Sequence, residues 1–189
     1  IAYASKINGI TRGGEKCTDF ASCLAIIDGG GDPDYDGVSG PLEFSGNGEP
    51  TSSKAFAEVV ERVVAIRDAA GLAAVPIRLI TNGSLVDRPY VQKALQSLAA
   101  AGGEVWFKLD GGRAEEFMRI NGVDLAPEAH AHRLALCASL CPTWVQTCMV
   151  RWDDEAPSQA MIDAYLAALD LAGPGALRGR RRRVTSRQR

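Results

Sequence analysis

Phe44-Ser45-Gly46-Asn47-Gly48-Glu49-Pro50-Thr51 is a glycine-rich turn that ends in a lone carboxylate and stands between a β-prone stretch and a helical one. Three later apolar runs stop in a similar way. Ile77-Arg78-Leu79-Ile80-Thr81 enters Asn82-Gly83-Ser84, Val105-Trp106-Phe107 enters Lys108-Leu109-Asp110-Gly111, and Trp144-Val145 enters Gln146-Thr147. Each run delivers polar groups at its C-terminal end, and a helical pattern follows. In parallel α/β proteins ligands bind at that edge, because loops and helix N-termini converge there with unpaired N–H groups.

Working outward from the turn, Leu42–Phe44 is a predicted strand and 53–70 a helix, with Phe56, Val59, Val60, Val63, Val64 and Arg67 at helical spacing. The alternation continues as strand 76–81, helix 87–101 (Val91, Leu95 and Leu98 on one face), strand 104–109, a short helix over 114–120, helix 127–140, strand 143–150 and helix 158–171. Strands alternating with helices imply right-handed βαβ units on a parallel sheet. The expected fold class is therefore α/β, with about four βα units over residues 42–173. Residues 1–41 are rich in Gly, Asp and turn signals and read as an irregular segment. Within it, Phe20 to Ile27 is a short helix started by Thr18 or Asp19 and ended by Gly29-Gly30-Gly31. Gly-Pro-Gly at 173–175 stops the last helix. Residues 174–189 carry no apolar periodicity and are expected to be disordered.

The chain of 189 residues suits one domain, and its net charge of −2 hides an asymmetry. Seven of the 21 basic residues are arginines between Arg178 and Arg189, and no acid follows Asp170. The rest of the chain has 14 basic against 23 acidic groups, so no nucleic-acid partner is expected for it. The tail alone could make nonspecific contact with phosphates. No apolar run approaches the roughly 20 residues that span a bilayer, so no membrane partner is expected either. The start at Ile1-Ala2-Tyr3-Ala4-Ser5 reads as a fragment boundary without a signal-peptide pattern. Cys17 and Cys23 could close a small disulfide loop, whereas Cys137, Cys141 and Cys148 sit in apolar surroundings like buried thiols of a cytosolic protein.

The candidate ligand residues are those at the strand ends. Glycines around Gly48 allow close backbone approach, Glu49 can accept from an ammonium or hydroxyl, and Pro50 fixes the turn. The same segment also reads as a plain strand–helix loop in which Glu49 helps to cap the helix. Asn82-Gly83-Ser84 supplies an amide and a positive-φ glycine, or equally an Asn-Gly turn with Ser84 or Asp87 as a cap. Lys108 and Asp110 bracket Leu109, share a face and could pair. Gln146 alternates with apolar neighbours and points inward, where its amide needs partners. His130 and His132, two residues apart on a helix, read as surface residues. No catalytic residue and no metal-ligating set is legible; Cys137 and Cys141 lack a third member.

Taken together, Ser45 to Thr51, Ile80-Thr81-Asn82-Gly83-Ser84-Leu85, Trp106 to Asp110, Arg119-Ile120-Asn121-Gly122 and Trp144-Val145-Gln146-Thr147 resemble the radical SAM superfamily, in its Fe–S oxidoreductase branch, over about residues 43–172. The resemblance implies a partial (β/α) barrel and two cofactors, S-adenosylmethionine and a 4Fe–4S cluster. The cluster cleaves the sulfonium reductively to a 5′-deoxyadenosyl radical. It also implies that Gly48, Glu49 and Pro50 hold the methionine amino group, with Asn82, Lys108, Asp110 and Gln146 at strand ends facing the cofactor. The family's cluster ligands, Cys-x3-Cys-x2-Cys on the loop after the first strand, have no counterpart here; Cys17 and Cys23 have a different spacing. An incomplete barrel of marginal stability, without its cluster, is therefore expected.

Residues 1–50 resemble a second family. Gly13 to Cys23 and Asp34 to Phe44 are similar to the C-terminal region of periplasmic branched-chain amino-acid-binding proteins. That resemblance implies a disulfide between Cys17 and Cys23, a periplasmic location in place of the cytoplasmic one, and an amino-acid ligand. A chimeric or mis-assembled reading frame would account together for the missing start, the missing cluster loop and the arginine tail.

Overall fold

The computed structural model describes residues 41–45, 48–149 and 155–173, together with the backbone of 11–12, 15–16 and 177–184. Seven strands are present among them. β1 (Thr11–Arg12) and β2 (Glu15–Lys16) form a small antiparallel pair. β3 (Leu42–Phe44), β4 (Ile77–Thr81), β5 (Glu104–Lys108), β6 (Thr143–Met149) and β7 (Leu177–Val184) make one sheet in chain order, and every neighbouring pair is parallel. The helices between them are α1 (Phe56–Ala69), α2 (Pro89–Ala100), α3 (Ala114–Asn121), α4 (Pro127–Leu140) and α5 (Gln159–Ala172), and a 3-10 turn (Pro50–Ser52) precedes α1. The expected α/β alternation is present, with boundaries within three residues of those read from periodicity.

A sheet whose strand order follows the chain never reverses, so right-handed crossovers place successive helices on the same face. α1 packs on α2, α2 on α4, and α4 on α5. The strands alternate to match. Ile77, Leu79, Thr81, Val105, Phe107, Thr143, Val145 and Thr147 are buried under the helices, while Arg78, Ile80, Trp106, Lys108, Trp144 and Gln146 on the opposite face are half-buried. The helices bury Phe56, Val60, Val63, Val91, Leu95, Leu98, Leu134 and Leu169 against that sheet face. Each such side chain contributes about 1.5–3 kcal/mol by leaving water.

Ionic contacts pin the start of the sheet on the half-buried face. Glu43, Arg78 and Glu104 occupy one register row across β3, β4 and β5. Arg78 Nη1 lies 2.7 Å from Glu43 Oε1 and its Nε 2.8 Å from Glu104 Oε1. Glu104 also accepts from Trp106 Nε1 at 3.0 Å and Trp144 Nε1 at 2.7 Å, and the Arg78 guanidinium stacks 3.9 Å above the Trp106 ring. A one-residue slip would carry this row to the apolar face, so the ion row fixes the register.

The arginine-rich end departs from expectation. Disorder was expected over 174–189, yet Leu177–Val184 pairs in parallel along the whole of β6. Backbone pairing explains the difference. The free edge of β6 offers a row of N–H and C=O groups, which a strand satisfies whatever its side chains. The stop before it is as read: α5 ends at Ala172, and Gly173 caps it at φ +93°. The expected helix over Phe20–Ile27, Cys17, Cys23 and most of the segment similar to binding proteins lie outside the described residues.

Arg67, on the buried stripe of α1, donates from Nη1 to the carbonyls of Val75 at 3.2 Å and Ala101 at 3.0 Å, while its Nε donates to Asp68 at 2.9 Å. One side chain thus ties together the end of α1, the entry to β4 and the end of α2. Replacing Arg67 with Leu orphans two carbonyls and is expected to cost about 2–4 kcal/mol in urea denaturation. A loss below about 0.5 kcal/mol would show that these bonds are not made in solution.

Candidate functional site

The C-terminal ends of β3 to β6 come to one edge of the sheet. Glu49 joins the first two. It N-caps the 3-10 turn: its Oε1 accepts from Thr51 N at 3.1 Å, Thr51 Oγ1 at 2.7 Å and Thr81 Oγ1 at 2.6 Å, and its Oε2 accepts from Asn82 N at 2.7 Å. The capping role read for this residue falls on the 3-10 turn and not on α1, whose N-cap is Ala55 without a side-chain bond, and Glu49 also reaches across to β4. Oε1 is saturated, while Oε2 keeps acceptor capacity for a ligand donor. Gly48 stands before it at φ +145°, a backbone setting suited to glycine.

Asn82 makes the turn expected of Asn-Gly. Its Oδ1 accepts from Ser84 N at 2.9 Å, and Gly83 sits at φ +71°. A Cβ at Gly83 would overlap the Phe107 ring, so both space and backbone require glycine there. The caps suggested for the next helix do not form. Pro89 opens α2, preceded by Arg88, with no side-chain cap. Proline at the first position already removes one orphan N–H.

Lys108 and Asp110 do meet, with Nζ 3.6 Å from Oδ2. Asp110 is buried and held by firmer bonds: Oδ2 accepts from Asn121 Nδ2 at 2.8 Å, and Oδ1 from the backbone N–H of Cys148 at 2.7 Å. It therefore links the ends of β5, α3 and β6. Gln146 lies beside Lys108 in register, and its Oε1 is buried without a hydrogen-bond partner among the described residues. Glu116 braces the β5 loop by accepting from Gly112 N at 2.8 Å.

His132 is exposed as read, but His130 is not a surface residue: it is 2% exposed, between Phe107 and Phe117 at ring-centroid distances of 4.9 and 5.3 Å. It shares the inner stripe of α4 with Leu134 and Cys137, spaced four and seven residues on, and that i, i+4, i+7 pattern was the available signal. Its Nε2 donates to the Lys108 carbonyl at 3.0 Å, so the ring holds the end of β5 from behind. Burial lowers its pKa below the ordinary 6.5, outweighing the carbonyl bond. Cys137 and Cys141 are buried thiols as expected, pushed up to about 12 by burial; Cys148 is half-buried at the edge itself.

Of the seven sequence candidates, Gly48, Glu49, Pro50, Asn82, Lys108, Asp110 and Gln146, all lie along this one edge. Thr51, Thr81, Asn121 and His130, which support them, escaped sequence reading as parts of the site. Polar groups with remaining capacity at this edge include Glu49 Oε2, which already accepts from Asn82 N, Gln146 Oε1, which has no partner among the described residues, and Lys108 Nζ, which lies 3.6 Å from Asp110 Oδ2. That set can receive a ligand carrying both donor and acceptor groups. No group of three or more His, Cys, Asp or Glu able to hold a metal is found among the described residues, and Cys17 and Cys23 lie outside them. No helix among them is long and apolar enough to cross a membrane. No protein-family model matches the chain, and no curated protein matches it.

Two outcomes are expected. Glu49→Ala leaves Thr81 Oγ1 and the Asn82 and Thr51 amides short of an acceptor and should cost about 2 kcal/mol by urea denaturation, whereas a neutral change would deny the staple. His130 binds a proton less readily folded than unfolded, so the unfolded state is protonated first. Stability should be full above pH 6.5 and fall as the pH drops through and below it, and His130→Gln should flatten that fall. An equal slope in the variant would contradict the assignment.

Proposed function

We propose that the chain is a partial (β/α) barrel of the radical SAM type and that the C-terminal edge of its sheet binds S-adenosylmethionine. What carries the reading is the Glu49 carboxylate. Held by Thr51 of its own turn and by Thr81 and Asn82 at the end of β4, it keeps spare acceptor capacity on Oε2, next to Gly48 at φ +145°. The ligand's ammonium would donate to Glu49 Oε2 and to carbonyls of the turn around Gly48 and Pro50. Asn82 Nδ2 faces the same edge as a donor to the ligand's ribose or acid groups. Asp110 acts one step back, fixing Lys108 and the β6 end in place.

In the family that these motifs resemble, the bound S-adenosylmethionine supplies a radical when a reduced cluster donates an electron. The residues described here furnish no ligand set for that cluster, so no cleavage step is assigned to this chain. Its own chemistry is binding and orientation: an acceptor for the ammonium, donors for the acid, and a sheet edge whose loops are braced from behind by His130 and Glu116.

Calorimetric titration of the full chain tests this directly. S-adenosylmethionine should bind saturably, and Asn82→Ala should weaken it by about tenfold, the worth of one hydrogen bond to a charged or polar group. Saturable binding of leucine in its place, with no response to S-adenosylmethionine, would overturn the reading in favour of the amino-acid-binding resemblance.

A further inference from the structure

Of the two histidines in the chain, His130 is packed directly beneath the candidate ligand edge. Its ring stands between Phe107 and Phe117, and the same Phe107 ring fills the space that a Cβ at Gly83 would need. The stack therefore backs the Asn82-Gly83 turn as well as the end of β5, where His130 Nε2 holds the Lys108 carbonyl. A carbonyl only accepts, so Nε2 carries the hydrogen and the neutral ring leaves Nδ1 as an acceptor. That atom is buried and has no partner among the described residues. A proton on Nδ1 would make it a buried charged donor with nothing to receive it.

The charges around the ring do not offset that cost. Arg133, three residues on in α4, repels a charged ring, although Asp87 stands 3.9 Å from its guanidinium. Asp110 at the end of β5 attracts it, but both its oxygens are engaged by Asn121 and the Cys148 amide. On α3, Glu116 is turned to Gly112 N, and Glu115 and Arg119 are exposed. The neighbours of α4 in the helical layer, α2 and α5, carry Lys93, Asp163 and Asp170, and α4 itself carries Glu128 and His132, all exposed. Burial outweighs these charges and keeps the packed ring neutral.

The element that carries His130 is lightly held. Residues 122–126 enter α4 as an irregular stretch, exposed but for the half-buried Leu125, and α4 begins at Pro127 without a side-chain cap. His130 N donates to the Ala126 carbonyl at 3.1 Å and so closes the first turn. A cation there opposes the helix macrodipole, and such turns open at low cost. We propose that the first turn of α4 is a pH-operated latch on the ligand edge. Closed, the neutral ring lies against Phe107 and holds the Lys108 carbonyl; open, it takes a proton from solvent, leaves the stack and frees the β5 end and the Asn82-Gly83 turn. The latch rests on the reading of this edge as a ligand site and makes its occupancy pH-dependent. A freed ring regains the ordinary value of 6.5, so the closed form loses about tenfold against the open one for each pH unit below it, while the packed ring stays neutral.

The test follows ring and amide resonances of the labelled full chain, without ligand, from about pH 8 to about pH 5, the range in which histidine titrates. The His130 ring should titrate below 6.5, and amides of Asn82–Ser84, Lys108–Gly111 and Ala129–His130 should shift with the same midpoint. Core amides of Leu79, Leu95 and Leu98 should hold. His130→Gln keeps an amide donor for the Lys108 carbonyl but takes no proton, and should abolish the shared midpoint; His132→Gln should leave it in place. S-adenosylmethionine should bind up to about tenfold more weakly at about pH 5.5 than at about pH 7.5, and His130→Gln should remove that ratio. Edge amides that stay put while the ring titrates would overturn the latch, as would a shared midpoint that survives in His130→Gln. Core amides moving at the same midpoint would overturn it too, since that marks unfolding of the whole chain, and so would equal affinity at both pH values. No binding of S-adenosylmethionine at either pH would sink the cofactor reading instead, with the amide titration still deciding the latch.

Discussion

Strand order fixes most of what this chain can do. From β3 to β7 each new strand lies parallel to the one before and next to it, so the sheet never changes direction. Two consequences follow. Crossovers of one hand keep the helices together on one face, which becomes the apolar core. Every strand also delivers its C-terminal end to the same edge, so residues far apart in sequence, from Glu49 to Gln146, are gathered without any dedicated scaffold. The site is a by-product of the winding.

The two ends of the sheet are then secured differently. At the start, the alternating charges of Glu43, Arg78 and Glu104 lock the register, with Trp106 and Trp144 hydrogen-bonded to the last of them. At the other end the polar groups that hold the loops are also the candidate ligand groups. Glu49 braces β3 to β4, and Asp110 braces β5 to β6 and α3. Using carboxylates as braces leaves few atoms over for a ligand, and those few are directional: one oxygen of Glu49, the amide of Gln146, the ammonium of Lys108. Such a site is organised before anything binds, which lowers the cost of ordering it.

The core was legible because its signals are local. Alternation in Ile77 to Thr81 and the spacing of Val91, Leu95 and Leu98 each set a period that a few residues reveal. Candidate site residues were legible for a related reason, since polar residues just past a parallel strand have one place to go. What stayed hidden depends on partners distant in sequence. His130 reads as polar until Phe107 and Phe117 close on it, and Thr81 looks like an ordinary strand residue until Glu49 arrives from the previous loop. The β7 strand was missed because arginine side chains carry no apolar pattern, while the pairing that forms it lies in the backbone of β6.

The central claim is that the edge gathered by this winding, and no other part of the sheet, receives S-adenosylmethionine. Amide chemical-shift mapping on the nitrogen-labelled full chain reads it residue by residue. On titration with S-adenosylmethionine, shifts should concentrate in Gly48–Thr51, Asn82–Ser84, Lys108–Gly111 and Gln146–Cys148, leaving Leu42, Ile77, Glu104 and Thr143 at the other end of the same strands unmoved. Shifts centred on that opposite end, or none at saturating ligand, would contradict the account.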